Sequence, residues 1–261
     1  MMTSSDRPAA LILRAPGTNC DRELAEGFRL AGAEPGFVHL DALIGEPERL
    51  AEADLIGFPG GFSYGDDIAA GRVFADRLRR HLHGPLTAAI DRGVPVIGIC
   101  NGFQVLVKAG LLPDPHGGGQ SVTLSENTSG RFVDRWVEME PEPSSVCVWT
   151  AGLTERFLLP IAHGEGRLAL SDEGLLGALE AGGQVPLRYA EDVNGSAGRV
   201  AGLCDPTGLV LGLMPHPERF TDALQHPYWT RMGEGFLSEV PEGLRMLENA
   251  VERARVGAVT G

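Results

Sequence analysis

The sequence predicts an α/β protein: a doubly wound, mostly parallel sheet with helices on both faces and an antiparallel addition in the second half. Three observations predict it. Between residues 9 and 107, short apolar runs alternate with stretches of helical periodicity, as strands do when crossover helices join them. Three of these runs are followed by unusual stretches, PGTNCD, PGGFSYGDD and CNG, at the carboxyl ends where parallel sheets gather ligands. Beyond residue 130 the apolar runs are short and separated by turn residues, a pattern closer to antiparallel pairing.

Taken in order, residues 9–13 form the first strand, APGTN turns the chain, and residues 21–30 continue as a helix. Residues 36–40 and 54–58 give two further strands, with a helical stretch at 47–53 between them. A helix that includes residues 73–82 leads to the fourth strand, VPVIGI at 94–99, and the chain winds again from Asn101 through Phe103, Val105, Leu106 and Val107. In the second half, residues 131–139, 146–149, 198–204 and 209–214 read as strands, and the tail at 241–255 places Leu244, Leu247 and Val251 at helical spacing. No low-complexity or charge-rich linker divides the 261 residues, 43% of them hydrophobic, so one domain over 1–261 is expected, with a flexible N-terminus at 1–8.

Composition excludes several functions. A net charge of -13, from 22 basic and 35 acidic residues, gives no electrostatic footprint for nucleic acid or an anionic membrane. Lys108 is the only lysine, and it does not stand in a G-x-x-x-x-G-K-[ST] phosphate loop. The opening MMTSSDRPAA lacks a signal-peptide layout and no stretch is long and apolar enough to span a bilayer, so a cytoplasmic location is expected. The cysteines, at 20, 100, 147 and 204, form no C-x-x-C pair; reduced thiols fit best, with neither a zinc site nor a disulfide framework suggested.

Cys100 lies at the joint between the fourth strand and the following helix, flanked by Gly98 and Gly102. A tight joint pushes the side chain out of the sheet, and the glycines remove β-carbons that would collide as strand and helix pass. G-x-C-x-G is thus a nucleophile elbow with sulfur in place of hydroxyl, and the helix N-terminus favours thiolate. The alternative use of such a cysteine is as a small buried hydrophobe.

A thiolate needs a base, and the base needs an orienting partner. His216 follows an apolar strand in LVLGLMPHPERF, between Pro215 and Pro217, which hold the backbone extended. In an extended chain His216 and Glu218 project to one side, forming the base-and-orienter half of a triad; a surface pair or part of a metal site are the other uses of H-x-E. His81 and His83 lie in an arginine-rich helix and are expected to be solvated, while His39 and His226 have no supporting pattern. Backbone N–H groups of Asn101, the residue after the nucleophile, and of the Gly60–Gly61 pair are candidates for an oxyanion hole; PGG otherwise reads as a tight turn.

Together FPGGFSYGDD, GICNGFQVL and MPHPER resemble the class I, triad-type glutamine amidotransferases, and more narrowly the glutaminase subunit or domain of phosphoribosylformylglycinamidine synthase. APGTNCDRE, ENTSGRF, PIAHGEGR and LRYAEDVNGS extend the resemblance over residues 9–219. It implies a flavodoxin-like sheet and hydrolysis of L-glutamine through Cys100, His216 and Glu218, with the amides of Gly61 and Asn101 as oxyanion hole. Gln104 and the segment Asn127 to Ser129 are then readers of the substrate's polar groups. His163 is a structural or partner-facing element and the second choice as base; Cys20 is structural beside the first strand, and Cys147 and Cys204 are core strand residues. The resemblance further implies a partner synthetase subunit that binds ATP and Mg, in some cases with a small third subunit, and no cofactor or metal in this chain. Relative to the family, the loop at 190–193 is short and residues 220–240 read as an insertion. A stand-alone γ-glutamyl thiol hydrolase and a catalytically silent regulatory subunit are the rival functions.

Overall fold

A computed structural model describes residues 7–117, 119–233 and 235–259, the side chains of the last three excepted. The first half runs β1 (Ala9–Arg14), α1 (Asp21–Leu30), β2 (Glu34–His39), α2 (Leu40–Gly45), β3 (Leu55–Phe58), α3 (Arg72–His81), α4 (His83–Asp91), β4 (Val96–Ile99) and α5 (Asn101–Ala109). The second half runs β5 (Val122–Glu126), β6 (Val133–Pro141), β7 (Phe157–His163), β8 (Glu165–Leu170), α6 (Gly174–Ala181), β9 (Leu187–Tyr189), β10 (Val200–Cys204), β11 (Val210–Leu213) and α7 (Glu242–Val259).

Nine strands form one sheet in the order β2-β1-β3-β4-β11-β10-β9-β6-β7, and β5 pairs with β8 in a separate antiparallel ribbon. Pairing is parallel from β2 to β11 and antiparallel from β11 to β7, so the architecture is the flavodoxin-like doubly wound one with an antiparallel extension. β3, β4 and β11 are buried at every position, which is why LIGF, VIGI and VLGL are apolar without alternation: helices cover both faces. α1 and α7 pack together on one face; α3 and α5 pack on the other. In α1, Leu24 and Phe28 are fully buried one turn apart. Burying each contributes about 1.5–3 kcal/mol, against propensity differences below about 1 kcal/mol, so this apolar stripe docks the helix.

Several expectations are corrected. Residues 146–149 form no strand: Val146 and Val148 donate single hydrogen bonds to Gly183 and Gly208 carbonyls, and Val148–Thr150 closes as a 3-10 turn. The Trp149 indole donates to the Leu209 carbonyl at 2.9 Å, so side-chain burial fixes this segment and no strand ladder forms. The helix expected at 47–53 closes as a 3-10 turn at Pro47–Ala51, and a helix that was not expected, α2, precedes it. Positions 1–6 of the expected flexible N-terminus lie outside the described residues, but Pro8 is buried and its carbonyl accepts the Glu34 N–H.

Candidate active site

Cys100 caps the N-terminus of α5 with φ 52° and ψ −107°, a left-handed backbone that a side chain adopts only under constraint. The constraint is visible. Its N–H donates to the Leu213 carbonyl at the end of β11 and its carbonyl accepts from Gln104 N–H. A β-carbon on Gly98 would lie 2.7 Å from the Gly102 carbonyl oxygen, and one on Gly102 would lie 1.9 Å from that of Phe58. The glycines therefore permit the close passage of strand and helix that turns the sulfur out of the sheet.

Next to it, β11 delivers His216, whose N–H donates to the Pro160 carbonyl. His216 Nδ1 and Glu218 Oε1 are 2.6 Å apart, both residues fully buried. The pairing arises differently from the extended geometry expected: Pro217–Arg219 forms a 3-10 turn that folds Glu218 back beneath the ring. Burial opposes charge on His216, but the Glu218 carboxylate and the sulfurs of Cys100 and Cys20 outweigh it and hold the imidazole well above its usual proton affinity. Nε2 has no completed hydrogen bond among the described residues.

A cavity of about 320 Å³ opens here, lined by Asn19, Cys20, Gly61, Phe62, Asp66, Cys100, Gln104, Phe132, His163, Glu165, His216 and Arg219, among others. That volume is at the small end of ligand pockets, which suits a molecule the size of an amino acid. The PGG and PGTNC loops are laced together: Gly60 carbonyl accepts from Asn19 and Cys20, and Gly17 carbonyl accepts from Phe62. Gly61, at φ 144°, is the one residue type this lacing admits, because a β-carbon would sit 2.6 Å from the Gly17 carbonyl oxygen. Asn101 stands at the first helical position, where its N–H has no carbonyl in its own helix. Its side chain accepts from Ser63 N–H and donates to Gln104 Oε1 and Asp66 Oδ1. Gln104 in turn donates to the Glu165 carbonyl, tying α5 to the β8 side of the cavity. Burial pushes the Asp66 carboxyl above its usual range, against hydrogen bonds from Gly71 and Asn101.

His163, at the end of β7, also lines the cavity. Its Nδ1 lies 3.1 Å from Asn127 Oδ1, while Asn127 Nδ2 donates to the carbonyls of His163 and Arg131. Because the amide nitrogen is committed as a donor, Oδ1 accepts and His163 carries its proton on Nδ1. Burial, helped by the nearby His216 charge, lowers His163 to about 4. It is neutral at physiological pH and has no carboxylate to orient it.

With this geometry in view, residues 7–252 match the family described as the CobB/CobQ-like glutamine amidotransferase domain. The phosphoribosylformylglycinamidine synthase subunit PurQ of Dehalococcoides mccartyi is 45% identical over 251 residues, covering 94% of this chain and 97% of that protein. The chain belongs to the PurQ family of glutamine amidotransferases. The PurQ subunit of Methanococcus maripaludis is 38% identical over 266 residues, covering 94% of this chain and 97% of its own length. The solved structure of PurLQS from Thermotoga maritima contains a chain 34% identical to this one, with a TM-score of 0.73, covering 94% of this chain and 98% of that chain.

Of the residues predicted from sequence, Cys100, His216, Gly61 and Gln104 line the cavity, Glu218 stands behind His216, and Asn101 opens α5 beside Cys100. Asn127 and Ser129 do not line it. Asn127 is buried behind His163, and Ser129 is exposed, its hydroxyl accepting from Arg131 N–H. Cys20, expected to be structural beside the first strand, also lines the cavity. Its Sγ accepts from the Arg219 guanidinium at 3.1 Å and faces the same space as His216. The signal was its place in PGTNCD, at the carboxyl end of a parallel strand. Arg219 and Asp66 were likewise unread. His81 is exposed and His83 half-buried, His39 caps α2 through the Asp41 N–H, and His226 packs among aromatic rings. No helix among the described residues is long and apolar enough to cross a membrane.

Proposed function

We propose that this chain is the glutaminase subunit of phosphoribosylformylglycinamidine synthase, with Cys100, His216 and Glu218 as its catalytic triad. Cys100 Sγ attacks the carboxamide carbon of L-glutamine, and the oxyanion is held by the N–H groups of Asn101 and Gly61. His216 gives its proton to the departing ammonia, leaving a γ-glutamyl thioester; it then takes a proton from water, which hydrolyses the thioester to glutamate and restores the thiol. Glu218 fixes the tautomer and stabilises the imidazolium. The observation that carries this reading is a strained cysteine at an elbow in the same cavity as a buried histidine–carboxylate pair.

Ammonia released to neutral water is protonated and lost as a nucleophile, so it passes to a second active site. The relatives' names and the PurLQS structure support a synthetase partner that converts formylglycinamide ribonucleotide to formylglycinamidine ribonucleotide with ATP, together with a small third subunit. Four free thiols and a purine-biosynthetic role support a cytoplasmic location. The test is mass spectrometry after treatment with an electrophilic glutamine analogue: one adduct, on Cys100, is expected. An adduct on another cysteine, or none in the assembled complex, overturns the triad.

A further inference from the structure

A second cavity, of about 490 Å³, opens where α3, α4 and the last turn of α5 meet. Arg79, His83, Lys108 and His116 line it, and none of its described lining residues is acidic. In a chain with 35 acidic residues against 22 basic ones, a cavity lined by one sign of charge stands out, and its walls concentrate positive potential. The cations are not fully used by their neighbours. Arg79 meets Asp76 at 3.4 Å, but the same carboxylate holds Arg80 at 2.8 Å, so two guanidiniums share one negative charge. His116 Nε2 lies 3.0 Å from Asp91 Oδ1. Lys108, the only lysine in the chain, is half-buried in the last turn of α5, where a cation offsets the partial negative charge of the helix end. Its ammonium makes no hydrogen bond or ion pair among the described residues. Burial lowers its proton affinity, Glu165 and Asp66 raise it from a distance, and Arg72 lowers it again. A half-buried cation without a partner is costly, and an anion in the adjoining cavity would relieve that cost.

We propose that this cavity binds a phosphate group, free or carried by a small monoester, with Lys108 and Arg79 as its principal donors and His83 and His116 flanking them. The lining side chains that carry charge are donors, so the fitting ligand is rich in acceptors and carries more than one negative charge. A phosphate group offers three strong acceptor oxygens and a charge of about −1.5 to −2, where a carboxylate offers two oxygens and a single charge. The guanidinium fork matches two of the oxygens, and the ammonium serves as a point charge for the third. Because the chain has no glycine-rich phosphate loop, the cradle is made of side chains that only the fold assembles. The cavity is larger than the one at Cys100, which leaves space for the organic part of an ester. It is also a separate site: at about 1.5 Å per residue, Lys108 stands about 12 Å from Cys100 along α5. Binding here therefore depends neither on the proposed triad nor on a partner subunit.

Because Lys108 is the sole lysine, the test begins on unsubstituted protein. The full chain is treated with pyridoxal 5′-phosphate, whose aldehyde condenses with an amine with loss of water, and the imine is then reduced with borohydride. Peptide mass spectrometry should find the adduct on Lys108, at least tenfold above the yield with pyridoxal, which lacks the phosphate. Equal labelling by the two aldehydes, or an adduct confined to the N-terminal amine, overturns the proposal. Inorganic phosphate and adenosine monophosphate then compete with the label. Equal protection by the two supports a site for the free ion, and protection at least tenfold better by the nucleotide supports one for a monoester. Protection by neither, or by adenosine as well as by its monophosphate, overturns the proposal. In calorimetric titrations with the better competitor, Lys108→Gln and Arg79→Gln should each weaken binding at least tenfold, with thermal melting used to check folding. Arg156→Gln, which removes an exposed cation paired with Glu138 and Glu140, should leave binding unchanged; equal weakening there would show general charge attraction and overturn the site. Prior alkylation of Cys100 by the glutamine analogue should also leave binding unchanged. Its loss would place the phosphate in the Cys100 cavity and overturn the proposal while leaving the triad standing.

Discussion

Two strand ends bring a buried imidazole to one cavity, and their surroundings drive the two rings apart. At the end of β11, His216 meets a carboxylate at 2.6 Å; at the end of β7, His163 meets a carboxamide at 3.1 Å. Burial disfavours charge on both. A full negative charge overcomes it for His216, while the Asn127 dipole does not for His163, which falls to about 4. The difference teaches that in a dry site the orienting partner, more than exposure, decides which histidine holds a second proton and which stays neutral.

Exchanging the partners is the sharpest way to break this contrast. Glu218→Gln gives His216 the kind of neighbour His163 has. Its proton affinity should fall, and glutamine-dependent turnover should drop by about 10²–10⁴-fold while ammonia-dependent amidation persists. Equal retention of both rates would show that the charge does no work. The reverse exchange, Asn127→Asp, should raise His163 toward its ordinary value of about 6.5, visible by NMR titration, and cost roughly tenfold in turnover by placing a second cation near His216. The same variant has a stability signature. In the parent protein an unfolded chain takes a proton near about pH 6.5 and the native state only near 4, so stability falls as pH drops through that window. Asn127→Asp should flatten that loss in denaturant titrations at stepped pH.

The contrast assumes that Cys100 stays fixed while its neighbouring histidine changes. Gly102→Ala tests this assumption, since the new methyl meets the Phe58 carbonyl and α5 must move. Overpacking of this kind costs about 1–3 kcal/mol, read as a lowered melting temperature, with loss of Cys100 alkylation. The smallest effect belongs to His226, a third buried ring. Burial lowers its proton affinity, and it packs against Trp136, Phe220, Tyr228 and Phe236. Below its ordinary value the unfolded chain protonates first, so this segment should loosen as pH falls, followed by tryptophan fluorescence. His226→Phe should abolish that dependence.

What could be read in advance divides along the sheet. The parallel half was legible because β3 and β4 are buried throughout and α1, α3 and α5 are amphipathic, with Cys100 marking the turn between the two periods. The second half was read only in part: β6, β10 and β11 were anticipated, whereas β5, β7, β8 and β9 were not, and β9 spans only three residues. The residues of the proposed triad were singled out through local chemistry, a glycine-flanked cysteine and a proline-flanked histidine. Cys20 and Asp66 were not, since their roles come from contacts with residues far along the chain, which spacing cannot encode. Asn127 shows the opposite failure: a polar residue in a recognised stretch turns inward to hold a histidine.

The Trp136 indole stands edge-on to Phe220, centroids 5.4 Å apart, and Phe220 follows Glu218 by two positions. The chain thereby holds a built-in optical gauge on the loop that carries His216 and Glu218. Any partner, ligand or ion that shifts the loop by a fraction of an ångström should register in the emission of that indole, with no attached label.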